Sequence, residues 1–506
     1  MTIGILDVTC PDGAGALSAL MRNILLLAAA PLLAASPVIA LAAPKGQPVT
    51  EQSMMRHIEI LASDAFEGRK PGTAGETRTL EYLSAQLSAF GLGGAAGDGG
   101  WYQPVPLVER RPFAHRALWT VNGVSADLGE DSLVLIGKDA IEQIADAPIW
   151  FVGHGNAADL QGADLSGAIA LMLYDTPKGS PGSSARAAAV RDAGAVAVVT
   201  VYPEEVPWSA VTNALKAGSS SLKSEPVAEV QGAMPFAAAA RLVGQEALGR
   251  ARADGFRAFA TQARGTLDVS TSVRAYNSHN VIARLEGKGK SGESVLYLAH
   301  WDHLGICRPE GAEDRVCNGA VDNASGLAMM LEIARHLARG ERPSRDILFM
   351  GTTAEEMGLL GAEYFGANPT VPARTIVAAI NIDTVAVAPK GEAVAIVGRG
   401  TTPLDPIVDA TSRELGRAVD ADDEANAFIQ RQDGWKLTQA GIPTVMVGGS
   451  FADMTKLQAF LGGPYHKPND DLDRPIELGG AIEDTELMIA LGRKLADPKK
   501  YRPERR

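Results

Sequence analysis

His300, Asp302, Asp322, Glu355, Glu356, Asp383 and His466 form a set of imidazoles and carboxylates, most of them at the ends of apolar runs. The run 295–299 leads into His300-Trp301-Asp302, the run 347–351 into Thr352-Thr353-Ala354-Glu355-Glu356, and the run 376–382 into Asp383. Each run has the length and composition of a buried strand. In open α/β sheets the carboxyl ends of the strands border the binding crevice, so these side chains should converge there. Imidazole and carboxylate are the usual catalytic ligands of zinc, and manganese or cobalt suit the same donors.

Two further positions extend the set. Asp322 lies in Gly319-Ala320-Val321-Asp322-Asn323-Ala324-Ser325-Gly326, ahead of Leu327, Met330, Leu331, Ala334 and Leu337 at helical spacing. Alone it would read as an ordinary helix cap, but beside the other donors it reads as a ligand. His466, in the loop Gly463-Pro464-Tyr465-His466-Lys467-Pro468, offers a second imidazole. Two zinc ions about 3.5–4 Å apart and bridged by one carboxylate can stabilise both nucleophile and developing oxyanion. A nearby carboxylate that binds no metal must then take the water's proton. The Glu355-Glu356 doublet can divide these tasks, since adjacent side chains point in different directions. Neither an H-E-x-x-H helix nor a G-x-S-x-G elbow occurs.

The elements that must hold these residues can be read in outline. Residues 51–62 and 76–90 are helix-like, separated by the turn-rich Glu67-Gly68-Arg69-Lys70-Pro71-Gly72, and a Gly-rich break covers 91–100. Residues 110–272 have their own rhythm, with strands at 147–152, 168–174 and 195–201 and a helix at 185–193, and read as an inserted small domain. From about 276, apolar strands alternate with helices, which indicates an α/β domain with a largely parallel sheet. The runs 280–285 and 294–299 are expected to pair, joined by Gly287-Lys288-Gly289-Lys290-Ser291-Gly292. That loop spells G-x-G-x-x-G but leads into a strand, so it reads as a turn and not as a dinucleotide site.

Composition narrows the partners. The 506 residues are 46% hydrophobic and 21% charged, as in ordinary globular chains, and the formal charge of −13 lacks the basic footprint of a nucleic-acid binder. Met21-Arg22-Asn23 precedes an apolar run from 24 to 43 with Ala40-Leu41-Ala42 near its end, a leader pattern that places the start of translation at Met21 and the mature protein in the periplasm or outside the cell. The rival for this run is an uncleaved membrane anchor. Cys10 falls in that segment, which leaves Cys307 and Cys317 in one short loop. A disulfide is expected in an oxidising compartment; a zinc knuckle would need two more ligands, and only His303 is close in sequence.

The C-terminal domain resembles the M28 family of zinc aminopeptidases. The resemblance is carried by His300-x-Asp302, Asp322-Asn323-Ala324-Ser325-Gly326, Ala354-Glu355-Glu356-x-Gly358-Leu359-Leu360-Gly361, Asn381-Ile382-Asp383, and Tyr465-His466 with Asp470. Residues 62–72 and the helix after them resemble the start of such enzymes, and 110–272 resembles their protease-associated (PA) domain. The resemblance implies a three-layer α/β/α peptidase domain with a mostly parallel mixed sheet and an inserted, smaller β-rich PA-like domain. The boundaries are then 1–43 for the leader, 44–109 for the first part of the peptidase domain, 110–272 for the insert and 273–506 for the zinc peptidase domain. It further implies two zinc ions per chain, one on His300 and Asp383, the other on Glu356 and His466, with Asp322 bridging. Glu355 becomes the base that activates the metal-bridged water and later donates the proton. Asp302 should hydrogen-bond His300 and fix its tautomer. Tyr465 should help polarise the scissile carbonyl, and a cis peptide is expected at Asp322-Asn323.

The activity implied is release of N-terminal residues from peptides, with no nucleic acid and no stable membrane association once the leader is cut. Two departures bear on specificity: the 300–322 stretch is long and holds both cysteines, and Arg431-Gln432-Asp433 stands where relatives often read Ser-Asp. A carboxypeptidase or dipeptidase would need a basic clamp, for which Arg431 is the local candidate. A non-catalytic binding protein would be expected to lose ligands or the base, and Glu355 is kept. The sequence does not fix the oligomeric state.

Overall fold

A computed structural model describes residues 48–252 and 255–503; the leader at 1–43, with Cys10, lies outside the described residues. The first element begins where the sequence allows it to. Thr50 Oγ1 accepts from the Ser53 amide and Ser53 Oγ accepts from the Thr50 amide, a reciprocal cap that satisfies two N-terminal donors of helix α1 (Glu51–Leu61). Met54, Ile58 and Leu61 form its buried stripe. Helix α2 (Ala74–Ala89) adds Leu80, Leu83 and Leu87 to the same hydrophobic cluster.

The strands that follow build one continuous sheet. Strand β1 (Tyr102–Val121) is followed by β2 (Ile141–Phe151), β3 (Ile169–Leu173), β4 (Ala197–Tyr202), β5 (Val230–Pro235) and the 27-residue β6 (Phe259–Leu285). From β2 to β5 neighbours are parallel. This part has its own core, with Trp119, Ile149, Phe151, Leu171, Val199 and Leu267 fully or nearly fully buried. Both β1 and β6 run on without interruption past residues 110 and 272, paired from Tyr102↔Val281 to Val121↔Ala263.

Beyond β6 come β7 (Ser294–His300), helix α3 (Gly326–Arg339), β8 (Asp346–Thr352), helix α4 (Leu360–Ala367), β9 (Ile376–Asn381), β10 (Ala395–Val397), β11 (Thr444–Gly448) and helix α5 (Gly479–Leu495). The spatial order is β10-β11-β9-β7-β8-β6. The four central strands are parallel, and β10 and the end of β6 flank them antiparallel. Alternation along β7 sends Val295, Tyr297 and Ala299 to the face covered by α1, α2, α3 and α5, and Leu296 and Leu298 to the face with Phe365 and Leu437. The result is the α/β fold with a mixed sheet that the strand pattern implies. One pairing differs from expectation: 280–285 and 294–299 are not neighbours, because β8 lies between them and bonds to both. The short connection at 287–292 suggested a hairpin; instead β7 steps over one strand position and continues the parallel order. Among the described residues no helix is long and apolar enough to cross a membrane.

Candidate metal centre

The register of the sheet brings the expected strand ends level. His300 pairs with Thr352 across β7 and β8, and Leu298 with Asn381 across β7 and β9, so the chain leaves all three strands at the same rim. Just past them the backbone turns through left-handed conformations at Ala354 (φ 53°) and Thr384 (φ 51°), adjoining Glu355 and Asp383, and His466 itself has φ 59°. Non-glycine residues adopt this region at a cost, and such strain concentrates at functional sites. Asp322 arrives on the loop before α3, and the Asp322-Asn323 peptide is cis.

The structure brings His300, Asp322, Glu355, Glu356, Asp383 and His466 together. His300 Nε2 lies 3.2 Å from Asp322 Oδ1 and 3.5 Å from Asp383 Oδ1. On the other side, His466 Nε2 lies 2.8 Å from Glu356 Oε2 and 3.3 Å from Asp322 Oδ2. Asp322 thus offers one oxygen to each imidazole. Possible ligand atoms of His300, Glu355 and Asp383 lie within 4.8 Å of one another, and so do those of His303, Asp322 and Glu356.

His303 was considered from the sequence only as a knuckle ligand. It is buried, with Nδ1 2.6 Å from Glu356 Oε1, which leaves Oε2 to face His466. The signal was present in His300-Trp301-Asp302-His303, three metal-type residues in four positions at a strand end.

Asp302 corrects an expectation. His300 Nδ1 is 3.1 Å from the backbone carbonyl of Asp302, while the Asp302 carboxylate is 4.0 Å away. The chain turns directly after β7, which folds that carbonyl back beneath the ring and gives it the tautomer-fixing part. The carboxylate instead accepts from the amides of Glu355 and Glu356, at 3.1 and 3.4 Å. It therefore orients the doublet and does not clamp the imidazole. Asp470 does the same for the bridge position, accepting from the Val321 and Asp322 amides at 3.0 Å each.

The donor set fits divalent cations. His466 Nε2 is buried and close to two carboxylate oxygens, yet its angles make no hydrogen bond to either. Nitrogen and oxygens lie close without bonding one another, near enough to share common points as ligands of one ion do. Like charges gathered out of water disfavour ionisation. From the protein's own groups, burial and then the neighbouring charges of Glu356, Asp383 and Asp433 hold Glu355 well above the usual carboxylate range, against the pull of His300. Burial pushes Asp302 up to about 8 and Asp470 up to about 6. Cations at the common points would offset this repulsion.

One cation is already built in beneath the site, and the sequence showed only a turn there. Arg69 is 0% exposed and donates to the carbonyls of Leu61 (2.7 Å), Trp301 (2.9 Å), Asn318 (2.6 Å) and Gly319 (3.0 Å). Burial lowers it to about 10, and Asp322, Asp470, Asp302 and Glu356 oppose that shift. It fastens the N-terminal segment to the loops that carry His300 and Asp322. Beside it, the Cys307–Cys317 disulfide closes a small hairpin whose Cys317 carbonyl leaves no room for a Cβ on Gly68. Arg69→Met strands four buried carbonyls, so we expect a loss of at least about 3 kcal/mol, read as a lower melting temperature. A melting curve within a degree of the parent would remove this bracing role.

Residues 280–491 match the family model described as Peptidase family M28. Over this segment the chain is similar to peptidase family M28. Every residue of the candidate donor set, His300 to His466, lies inside the matched segment, whereas Arg69 lies outside it. The chain is 31% identical over 172 residues to a vacuolar membrane protease of Yarrowia lipolytica, covering 33% of this chain and 16% of that protein. It is 29% identical over 285 residues to leupeptin-inactivating enzyme 1 of Streptomyces exfoliatus, covering 52% and 58%. It therefore spans less than two thirds of either relative. An aminopeptidase from Aneurinibacillus sp. strain AM-1 shares the fold, with a TM-score of 0.54 and 19% identity over 88% of this chain and 93% of that one.

Proposed function

We propose that this chain is a co-catalytic two-zinc exopeptidase that removes N-terminal amino acids from peptides. The observation that carries the reading is Asp322, whose two oxygens face two separate imidazoles. In this reading His300 and Asp383 would hold one zinc and Glu356 and His466 the other, with Asp322 as the carboxylate available to both. Zinc ions there supply Lewis acidity and bring the pKa of a bound water toward neutrality. Glu355, free of metal, takes the proton from the attacking water and returns it to the leaving amine. Its carboxylate lies within 4.8 Å of possible ligand atoms of His300 and Asp383, which supports that role. Tyr465, whose ring stacks on His466 at 3.7 Å between centroids, donates to the scissile carbonyl. The free amine of the substrate sits against Glu355 and Asp383. The leader pattern at 1–43 and the disulfide support an exported protein in an oxidising compartment.

A panel of aminoacyl-p-nitroanilides, N-blocked peptides and peptides with free carboxylates, assayed with and without a chelator, tests the reading. We expect hydrolysis of free-amine substrates alone, abolished by the chelator and restored by zinc. Cleavage confined to blocked peptides with free carboxylates would replace it with a carboxypeptidase.

A further inference from the structure

Next to Asp383 and Tyr465 the site opens onto a pocket that continues into solvent. Its walls include Phe428, Met446, Phe451, Leu457 and Leu461. These come from the short helical stretch 424–431, from β11 and the turn after it, and from the helix Met454–Gly462. Such walls suit the methylenes of a side chain. They do not explain Arg431, which lines the same cavity.

Arg431 is exposed, its guanidinium carbon 5.5 Å from the Phe428 ring centroid, and no carboxylate among the described residues pairs with it. Of the other polar groups around the cavity, Asp383 and Tyr465 belong to the candidate site, and Gln432 and Thr384 are committed within the fold. Gln432 accepts from Asn381 and Gly434 and donates to Ile429, and the Thr384 hydroxyl donates to Asp383. One cation with unused donors thus stands over an apolar cavity beside the reacting centre. Guanidinium and carboxylate match in shape and charge.

We propose that Arg431 selects peptides whose N-terminal residue bears an acidic side chain, with glutamate preferred over its neutral isostere glutamine. This rests on the aminopeptidase reading and adds the substrate class. With the amine at Glu355 and Asp383, the side chain enters the cavity, its methylenes lie against Leu457 and Leu461, and its carboxylate meets Arg431. No bond is made or broken by Arg431; it is a positioning and specificity residue.

The test compares kcat/KM for glutamyl- and glutaminyl-p-nitroanilide with the zinc-loaded full chain, Arg431→Ala and Arg431→Lys, alongside calorimetric binding of free glutamate and glutamine. A partly exposed charge-assisted pair should favour glutamate by about tenfold, mainly through KM. Arg431→Ala should bring the ratio near one, Arg431→Lys should keep part of it, and glutamate binding should follow the same order. An equal ratio in the parent and Arg431→Ala overturns the proposal. So does a requirement for a free C-terminal carboxylate that Arg431→Ala removes, since Arg431 would then read the other end of the peptide. Absence of turnover on every free-amine substrate, with zinc bound, would overturn the aminopeptidase reading itself and this proposal with it.

Discussion

Glu355→Gln should retain two zinc ions per chain and lose about 10²–10⁴-fold in kcat, toward the upper end because one group serves both proton transfers. Glutamine keeps the volume and hydrogen-bonding reach of the side chain but cannot hold and release the proton. The amide of residue 355 would still donate to Asp302, and Glu356 would still face His303 and His466, so the donors should stay in place. Metal analysis by mass spectrometry beside steady-state kinetics separates the two effects. Parental turnover in this variant would remove Glu355 from the mechanism; lost zinc would make it a ligand.

Asp322→Ala should behave in the opposite sense. Asp322 alone faces both imidazoles, so its removal should weaken both ions at once, well beyond the ~10–100-fold typical of residues that merely orient ligands. Zinc content should fall below one per chain, and the rise in melting temperature produced by added zinc should vanish, because that rise depends on binding to the folded state. Full zinc stoichiometry in Asp322→Ala would sink the bridging assignment.

The residues that the structure brings together were legible because their signal is local: apolar runs that end on His, Asp or Glu, in a fold whose strand ends converge. What escaped the sequence depends on contacts that no spacing encodes. Arg69 looked like turn punctuation between glycines and prolines, and three of its four acceptors lie more than two hundred positions away. The partner of the Asp302 carboxylate was misassigned because the choice between its side chain and its own carbonyl is made by the turn after β7. The length of β1 was hidden by Pro104, Pro106 and Pro112. Prolines ordinarily disrupt ladders, and here the register shifts between Ser270 and Thr271, opposite Pro112.

The bracing by Arg69 at one end and Asp470 at the other sets an order of events. The guanidinium leaves the ribosome early, but its acceptors at 301 and 318–319 follow much later, and the residues that hold His466 and the bridge loop come later still. A nascent chain carries the carboxylates before it can arrange them. The donor set can therefore be arranged only once the chain has been made as far as Asp470, so its geometry belongs to the end of folding and not to any early segment.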